Sequence, residues 1–174
     1  MSSSHPVLSA QQPLHTMRHL CAVFSLLVAG LICGPYAAAQ QPKALPFDEA
    51  SAYGVDREAL EAEHGDAVHA DAATSVFPDR HDDVTDAWRG MFGALLAHLQ
   101  AADIDWQQPT RGYFRVYVQP DGSIRHLLYK IHDGDLHQED GFRSALNDFT
   151  ATYNFGLQAD EPYAQCGTVM LQAP

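Results

Sequence analysis

The side chains with the greatest capacity for chemistry lie in one polar loop that ends at Asp140. This stretch, HDGDLHQED, holds two histidines and four carboxylates, and its candidate metal ligands are His132, Asp133, Asp135 and His137. Imidazole nitrogens and carboxylate oxygens are donors that zinc and other divalent ions take in proteins. The spacing does not match a calcium-binding loop, which needs a later glycine and a terminal glutamate in register. The simpler interpretation is an acidic loop at the positive end of a helix dipole, so we predict no metal site.

The chain carries none of the short motifs that mark common enzymes: Gly-x-Ser-x-Gly, His-Glu-x-x-His, a Walker loop or a dinucleotide fingerprint. The remaining candidate nucleophile is Cys166, in the apolar stretch CGTVMLQ. A reactive thiol needs a polar, open environment, and this stretch does not suggest one. We therefore expect Cys166 to be a small buried residue of a terminal strand, unless it reacts or pairs between chains. The sequence predicts a protein that is not an enzyme and has no cofactor.

The balance of charge excludes nucleic acid as a partner. The 174 residues include 22 acidic and 10 basic side chains, for a formal net charge of -12. Binding to a phosphate backbone depends on clustered positive charge. The basic residues are scattered along the sequence, so we predict no nucleic-acid groove.

The N-terminal residues have the layout of a secretion signal. An uncharged apolar stretch, Leu20–Cys33, follows Arg18 and is followed by Pro35 and the small residues Ala37-Ala38-Ala39. The stretch is shorter than the roughly 20 residues that span a bilayer, and small residues suit signal peptidase. We predict a signal peptide over residues 1–39 and a periplasmic or extracellular product. The alternative is an uncleaved membrane anchor, because Leu20–Ala39 has no charge.

The segment that follows, residues 40–81, is rich in acids, alanine and proline and poor in large apolar residues. Such a composition buries little surface, so we predict a largely disordered acidic leader. A short, marginal helix is expected near Arg57–Glu63 from the pattern REALEAE.

Residues 82–174 have the periodicity of a folded domain. A helix over 83–100 is predicted by one apolar stripe, which consists of Val84, Trp88, Met91, Phe92, Leu95, Leu96 and Leu99. On this helix, Gly90 and Gly93 are expected to allow another backbone to approach closely. Two alternating strands then flank the turn Pro120-Asp121-Gly122, whose glycine suits a positive φ. A second amphipathic helix and a closing strand over residues 166–172 complete the domain. This order predicts an α+β fold: a small antiparallel sheet with its helices on one face.

These features resemble the C-terminal domain of TonB-type energy transducers. The resemblance covers residues 112–172. It is carried by Gly112, the Pro120-Asp121-Gly122 hairpin and the aromatic series Phe142, Leu146, Phe149, Tyr153 and Phe155. The long proline-rich spacer of a transducer is absent, so the resemblance implies the fold and a binding role but no individual functional residue.

A binding role of this kind implies a free sheet edge that accepts an extended peptide as an added strand. The resemblance makes the closing strand the expected edge. The candidate partner-binding residues are Gly167, Thr168, Val169, Met170, Leu171 and Gln172. The alternative is that this edge is blunted or forms a homodimer. The resemblance implies an exported periplasmic protein-binding module associated with outer-membrane transport.

The rival hypothesis is a secreted metal- or carbohydrate-binding domain with no transport role. Four aromatic residues, Trp106, Tyr113, Tyr117 and Tyr129, could form an outer platform for a carbohydrate or a peptide beside the hairpin. Ordinary cross-strand pairing of these rings is the simpler interpretation.

Overall fold

The computed structural model describes residues 43–104, 106, 108–132 and 138–171, so the predicted signal peptide lies outside the described residues. The strands are β1 Ala44–Pro46, β2 Gly65–Asp66, β3 Thr110–Val118, β4 Ile124–His132 and β5 Tyr163–Leu171. The α-helices are α1 Arg57–Glu63, α2 His81–Ala101 and α3 Glu139–Thr152. Short 3-10 helices lie at Ala50–Tyr53 and Ala72–Thr74.

The strands form one five-stranded sheet in the order β1-β4-β3-β5-β2. The central strands β4, β3 and β5 pair antiparallel, as the sequence predicts. The short outer strands run parallel to their neighbours, β1 beside β4 and β2 beside β5. The predicted α+β class is confirmed, with a mixed sheet because the N-terminal residues add these two strands.

The turn between β3 and β4 has the geometry that its sequence predicts. Gly122 has φ of +84°, and its N–H donates to the carbonyl of Gln119 at 2.9 Å. The pairing register shifts between Tyr117 and Val118, which marks a bulge beside the turn. Glycine occupies this left-handed conformation without steric cost, so a tight connection joins the two strands.

Helices α2 and α3 cover one face of the sheet, called here the first face. The predicted stripe of α2 is inside the main core or packed against it, and so is the apolar side of α3. From β3, the alternating residues Phe114, Val116 and Val118 contribute to the same core. The prediction that Gly90 and Gly93 let another backbone approach α2 is wrong, because both are exposed and nothing lies within 4 Å of a Cβ built at either position.

The opposite face, called here the second face, is partly covered by the N-terminal segment. The sequence predicts a largely disordered leader here, but residues 43–81 contribute β1, β2 and α1. Four apolar residues of this segment, Leu45, Ala50, Val55 and Leu60, form a second core with Tyr117, Leu128 and Ala164 of the sheet. Ala44, Ala67 and Phe77 join the main core instead. These residues come from separate short elements and have no common period, so their shared burial is not visible in the sequence.

Helix α1 has the predicted bounds, and it is held by a cap at its start and by one buried side chain. The side chain of Asp56 caps it by accepting hydrogen bonds from the N–H groups of Glu58 and Ala59 at 3.0 and 3.2 Å. Leu60 is its buried residue and packs into the second core. This contact places α1 across the sheet from α2 and α3, so the helices lie on both faces.

Candidate partner-binding surface

The outer edge of β5 is the main candidate site. Strand β3 pairs with β5 from Tyr163 to Leu171, but β2 pairs with it only at Tyr163 and Ala164. Beyond that point, no described residue forms a ladder on the outer side of β5. The predicted edge is therefore present along residues 166–171, within the described part of the chain.

Alternation along β5 identifies the backbone groups at this edge. The carbonyl of Ala164 faces β2, because it accepts a hydrogen bond from the N–H of Ala67 at 2.8 Å. In an extended strand, the N–H and C=O groups of every second residue point to the same side. The backbone groups of Cys166, Thr168 and Met170 therefore point outward, and the side chain of Gln165 lies 3.5 Å from the carbonyl of Cys166.

The first face of this edge carries a half-buried tryptophan. A Cβ built on Gly167 would lie 2.6 Å from Nε1 of Trp88, so the absence of a side chain lets the indole lie against the strand. The Trp88 ring also contacts the rings of Phe92 and Phe155, with centroids 5.0 and 5.9 Å apart. An added strand would meet an aromatic surface on this side.

The predicted partner-binding residues divide between the two faces. Thr168 and Met170 are exposed, and Met170 retains 46% of its accessible surface, which is unusual for a large apolar side chain. Gly167 and Val169 are half-buried on the first face, and Leu171 is fully buried in the main core. Leu171 therefore stabilises the fold rather than offering a contact, and Gln172 lies outside the described residues.

Cys166 lies differently from its expected position. The apolar neighbours predict a buried thiol, but Cys166 is exposed and free. Its register partner in β3 is Arg115, on the second face. The reason is the alternation of β5, which turns Gln165 and Gly167 toward the helices and Cys166 away from them.

The second face has a half that the N-terminal segment leaves uncovered. We call it the open half, and it consists of Arg111, Tyr113, Lys130, His132, Thr168 and Met170. Register pairs bring these residues together: Arg111 lies opposite both His132 and Met170, and Tyr113 lies opposite both Lys130 and Thr168. All six side chains are exposed or half-exposed.

Two contacts extend the open half toward the N-terminal segment. The rings of Phe47 and Tyr113 have centroids 5.5 Å apart, and the guanidinium of Arg57 lies 5.1 Å from the centroid of Phe47. A cation, two aromatic rings and the exposed sheet surface are therefore continuous.

A polar network separates the covered half of the second face from the open half. Arg115 donates to the carboxylates of Glu61 and Asp66, and the hydroxyl of Tyr117 donates to Glu61 at 2.7 Å. Burial opposes ionisation of Glu61, but the hydrogen bonds from Tyr117 and Arg115 outweigh it and lower the pKa of this carboxyl. The network therefore holds α1 to β3 by charge-assisted bonds.

Two imidazoles lie on the second-face side of the structure: His64 is buried at the end of α1, and His126 is half-buried on β4. His64 is 3% exposed, and its Nδ1 donates to the carbonyl of Leu60 at 2.9 Å, which leaves Nε2 without a partner among the described residues. Burial lowers the pKa of His64, although the hydrogen bond to Leu60 and the charge of Glu63 act to raise it. Burial and then Arg125 lower the pKa of His126. Both groups therefore favour the neutral form.

Only one of the four candidate metal ligands lies among the described residues. His132 ends β4, whereas Asp133, Asp135 and His137 lie outside the described residues. Among the residues that are described, no group of three or more His, Cys, Asp or Glu side chains could hold a metal ion.

The four aromatic residues do not form one outer platform. Trp106 and Tyr129 are buried on the first face, where each ring meets Phe142 edge-on. Tyr117 is buried in the second core, and Tyr113 alone reaches the open half. Cross-strand pairing does not describe these three rings either, because Trp106 and Tyr129 pack on Phe142 of α3 and Tyr117 packs on His64.

Sequence reasoning missed the cationic part of the open half. Arg111 and Lys130 are 19 positions apart in the numbering and look scattered, but the hairpin register places them on one face. Strand alternation could have assigned each to the polar face of its strand. It could not show that the N-terminal segment covers the neighbouring half and stops there.

Compared with protein-family models, with curated proteins and with solved structures, the chain has no significant match to any of them. None of the helices in the described part of the chain is long and apolar enough to cross a membrane.

Proposed function

We propose that this protein is an exported protein-binding module that takes up an extended segment of a partner protein as an added strand on β5. The observation that carries the proposal is the row of outward backbone groups at Cys166, Thr168 and Met170, which no described strand pairs. Main-chain hydrogen bonds at such an edge supply affinity, and alternate side chains supply specificity.

The composition of β5 supports a used edge rather than a protected one. Proteins protect free edges with lysine, proline, inward-pointing charges or bulges. The strand sequence, YAQCGTVML, contains no charge and no proline, and its pairing with β3 has no register shift. Natural selection against aggregation would favour such a protective residue here unless the edge normally acquires a partner.

The cellular setting is also part of the proposal. The secretion-signal pattern of residues 1–39 and the resemblance of residues 112–172 to TonB-type transducers support a periplasmic location and a partner in outer-membrane transport. Neither the setting nor the partner class is needed for the edge itself to bind an extended peptide.

The test uses the full-length protein, labelled with nitrogen-15, and an octapeptide that alternates valine with glutamine. We expect the peptide to shift the amide signals of Cys166, Thr168 and Met170 more than those of Gly167 and Val169. A Thr168→Pro variant removes one outward N–H and should abolish binding. A Thr168→Val variant keeps that N–H and should bind the peptide.

Two results would contradict the proposal. The first is equal peptide binding by Thr168→Pro, Thr168→Val and the unchanged protein, because the edge would then play no part. The second is a stable dimer by analytical ultracentrifugation in which β5 of each copy is already paired, because the edge would then belong to the homodimer.

A further inference from the structure

We propose that the partner segment is acidic, and that the open half of the second face selects it through Arg111, Lys130 and Arg57. This inference rests on the proposed function, since it assigns the chemistry of the segment that pairs with β5. The observation behind it is that most described basic residues elsewhere in this acidic protein form ion pairs with carboxylates, whereas those around the open half do not.

Almost every described basic residue away from this surface is neutralised. Ion pairs with described carboxylates are formed by Arg80, Arg89, Arg115, Arg125 and Arg143. Among the described lysines and arginines, those without such an ion pair are Lys43, Arg57, Arg111 and Lys130. Three of these border one surface, in a chain whose formal charge is -12. Cations without an ion pair are therefore concentrated around the open half, and Arg111 is the one nearest the free edge.

The reach of each cation follows from the spacing of the sheet. Neighbouring strands lie about 4.8 Å apart, so an added strand would lie one spacing from β5 and two spacings, about 10 Å, from Arg111 on β3. Arg111 lies beside Met170, the last outward residue before Leu171. An arginine and a glutamate side chain together span that distance. Arg111 therefore contacts carboxylates within the added strand.

Lys130 and Arg57 lie farther from β5 than Arg111 does. Lys130 is one strand beyond Arg111, on β4, and Arg57 lies over Phe47 at the border of the open half. Asp48, Glu49 and Glu139 line the same cavity as Lys130 and Arg57, so these two cations contribute less than Arg111 to the selection of an acidic partner. Tyr113 lies between Lys130 and β5, and Met170 lies on β5 beside Arg111, so the partner also carries apolar side chains on this face.

The test compares three octapeptides that alternate valine with glutamate, glutamine or lysine, each titrated into the full-length protein and followed by amide shifts. We expect the glutamate peptide to bind most tightly and the lysine peptide most weakly. Replacement Arg111→Gln should lower the affinity for the glutamate peptide by about two- to fivefold, the range expected for an exposed charge pair. It should leave the affinity for the glutamine peptide unchanged. Lys130→Gln should have a smaller effect on these short peptides.

The control variant is Arg89→Gln, which makes the same change in charge on the exposed side of α2, away from the open half. If Arg89→Gln weakens the glutamate peptide as much as Arg111→Gln does, the preference is a property of the total charge and the inference is overturned.

The remaining outcomes separate this inference from the function on which it rests. Equal binding of all three peptides, with amide shifts at Cys166, Thr168 and Met170, would overturn the acidic preference and leave strand addition intact. Tighter binding of the lysine peptide would do the same. Absence of binding by any peptide would overturn both.

Discussion

The indole of Trp88 lies against the backbone of β5 at Gly167, where a Cβ would come within 2.6 Å of the tryptophan Nε1. This close approach joins α2 to the strand that carries the free edge. Glycine is needed at this position because of the neighbouring ring, as its φ is not in the left-handed region.

Replacement Gly167→Ala should therefore destabilise the protein by about 1–3 kcal/mol, the usual cost of overpacking. Urea unfolding measures the loss, and tryptophan fluorescence should shift as the indole moves. The matched control is Gly93→Ala on α2, where nothing lies within 4 Å of the added Cβ. Alanine there should stabilise the helix by about 0.5–1 kcal/mol. Equal effects of the two changes would contradict the close approach.

Replacement Gly122→Val should destabilise the hairpin. Its φ is +84°, which a β-branched residue adopts only with strain, and a Cβ there would lie 2.7 Å from Oδ1 of Asn154. We expect a cost of about 1–3 kcal/mol in thermal or urea unfolding. Gly156→Val is the control, because Gly156 has φ of +76° with open space around it. If the two variants lower the stability by the same amount, the contact with Asn154 makes no contribution to the cost of Gly122→Val.

The attachment of α1 predicts a difference between two nearby glutamates. Glu61 accepts hydrogen bonds from Arg115 and Tyr117, whereas Glu63 forms an exposed ion pair with Arg125. Replacement Glu61→Ala leaves the largely buried Arg115 with Asp66 alone and should cost about 1–3 kcal/mol. Glu63→Ala should cost about 0–1 kcal/mol. Urea unfolding compares the two variants, and a larger loss for Glu63→Ala would contradict this account of the network.

Stability should fall as the solution becomes mildly acidic. Burial lowers the pKa of His64 and of His126 below their ordinary value of 6.5. The unfolded chain then binds more protons than the folded one, so their contribution is complete above about pH 6.5 and decreases as the pH falls below it. Protonated His64 would also carry an Nε2–H with no described acceptor. Charges near the two rings act in both directions: Glu61 and Glu63 favour protonation, whereas Arg125 and Lys43 oppose it.

Urea midpoints at about pH 8 and about pH 5.5 test this dependence, in a range where carboxylates remain ionised. A His64→Gln variant removes one titrating group and should lose less stability between the two pH values than the unchanged protein. His69→Gln is the matched control, because it makes the same substitution at an exposed histidine. An equal loss in the unchanged protein and His64→Gln would contradict a role for His64.

Much of the sheet and its two long helices could be predicted from local patterns. The period of Phe114, Val116 and Val118 and the turn at Gly122 define the hairpin, because both signals lie within a few residues. The stripe of α2 from Val84 to Leu99 is equally local.

The N-terminal segment could not be predicted in the same way. Leu45 and Leu60 are buried by contacts with Leu128 and Tyr117, which lie far away in the sequence. The acidic character of this segment favours disorder on composition alone. Its acids are instead partners for Arg115 and Arg125, and these pairings depend on tertiary structure.

The candidate site could be predicted in part. The resemblance to TonB-type domains indicates the closing strand, and alternation within it indicates which side chains share a face. The exposure of Cys166 follows from that alternation, although the apolar neighbours favoured burial. The length of β2 decides how much of the edge is free, and no pattern in the sequence marks a strand of two residues.

The most direct test of the free edge is amide hydrogen exchange at each residue of β5 in the full-length protein. We predict that the outward amides of Cys166 and Thr168 exchange rapidly, while those of Gly167 and Val169, which face β3, are protected. Addition of a strand-forming peptide should protect the outward amides. If they are already protected in the monomer without any peptide, the edge is covered and the central claim is wrong.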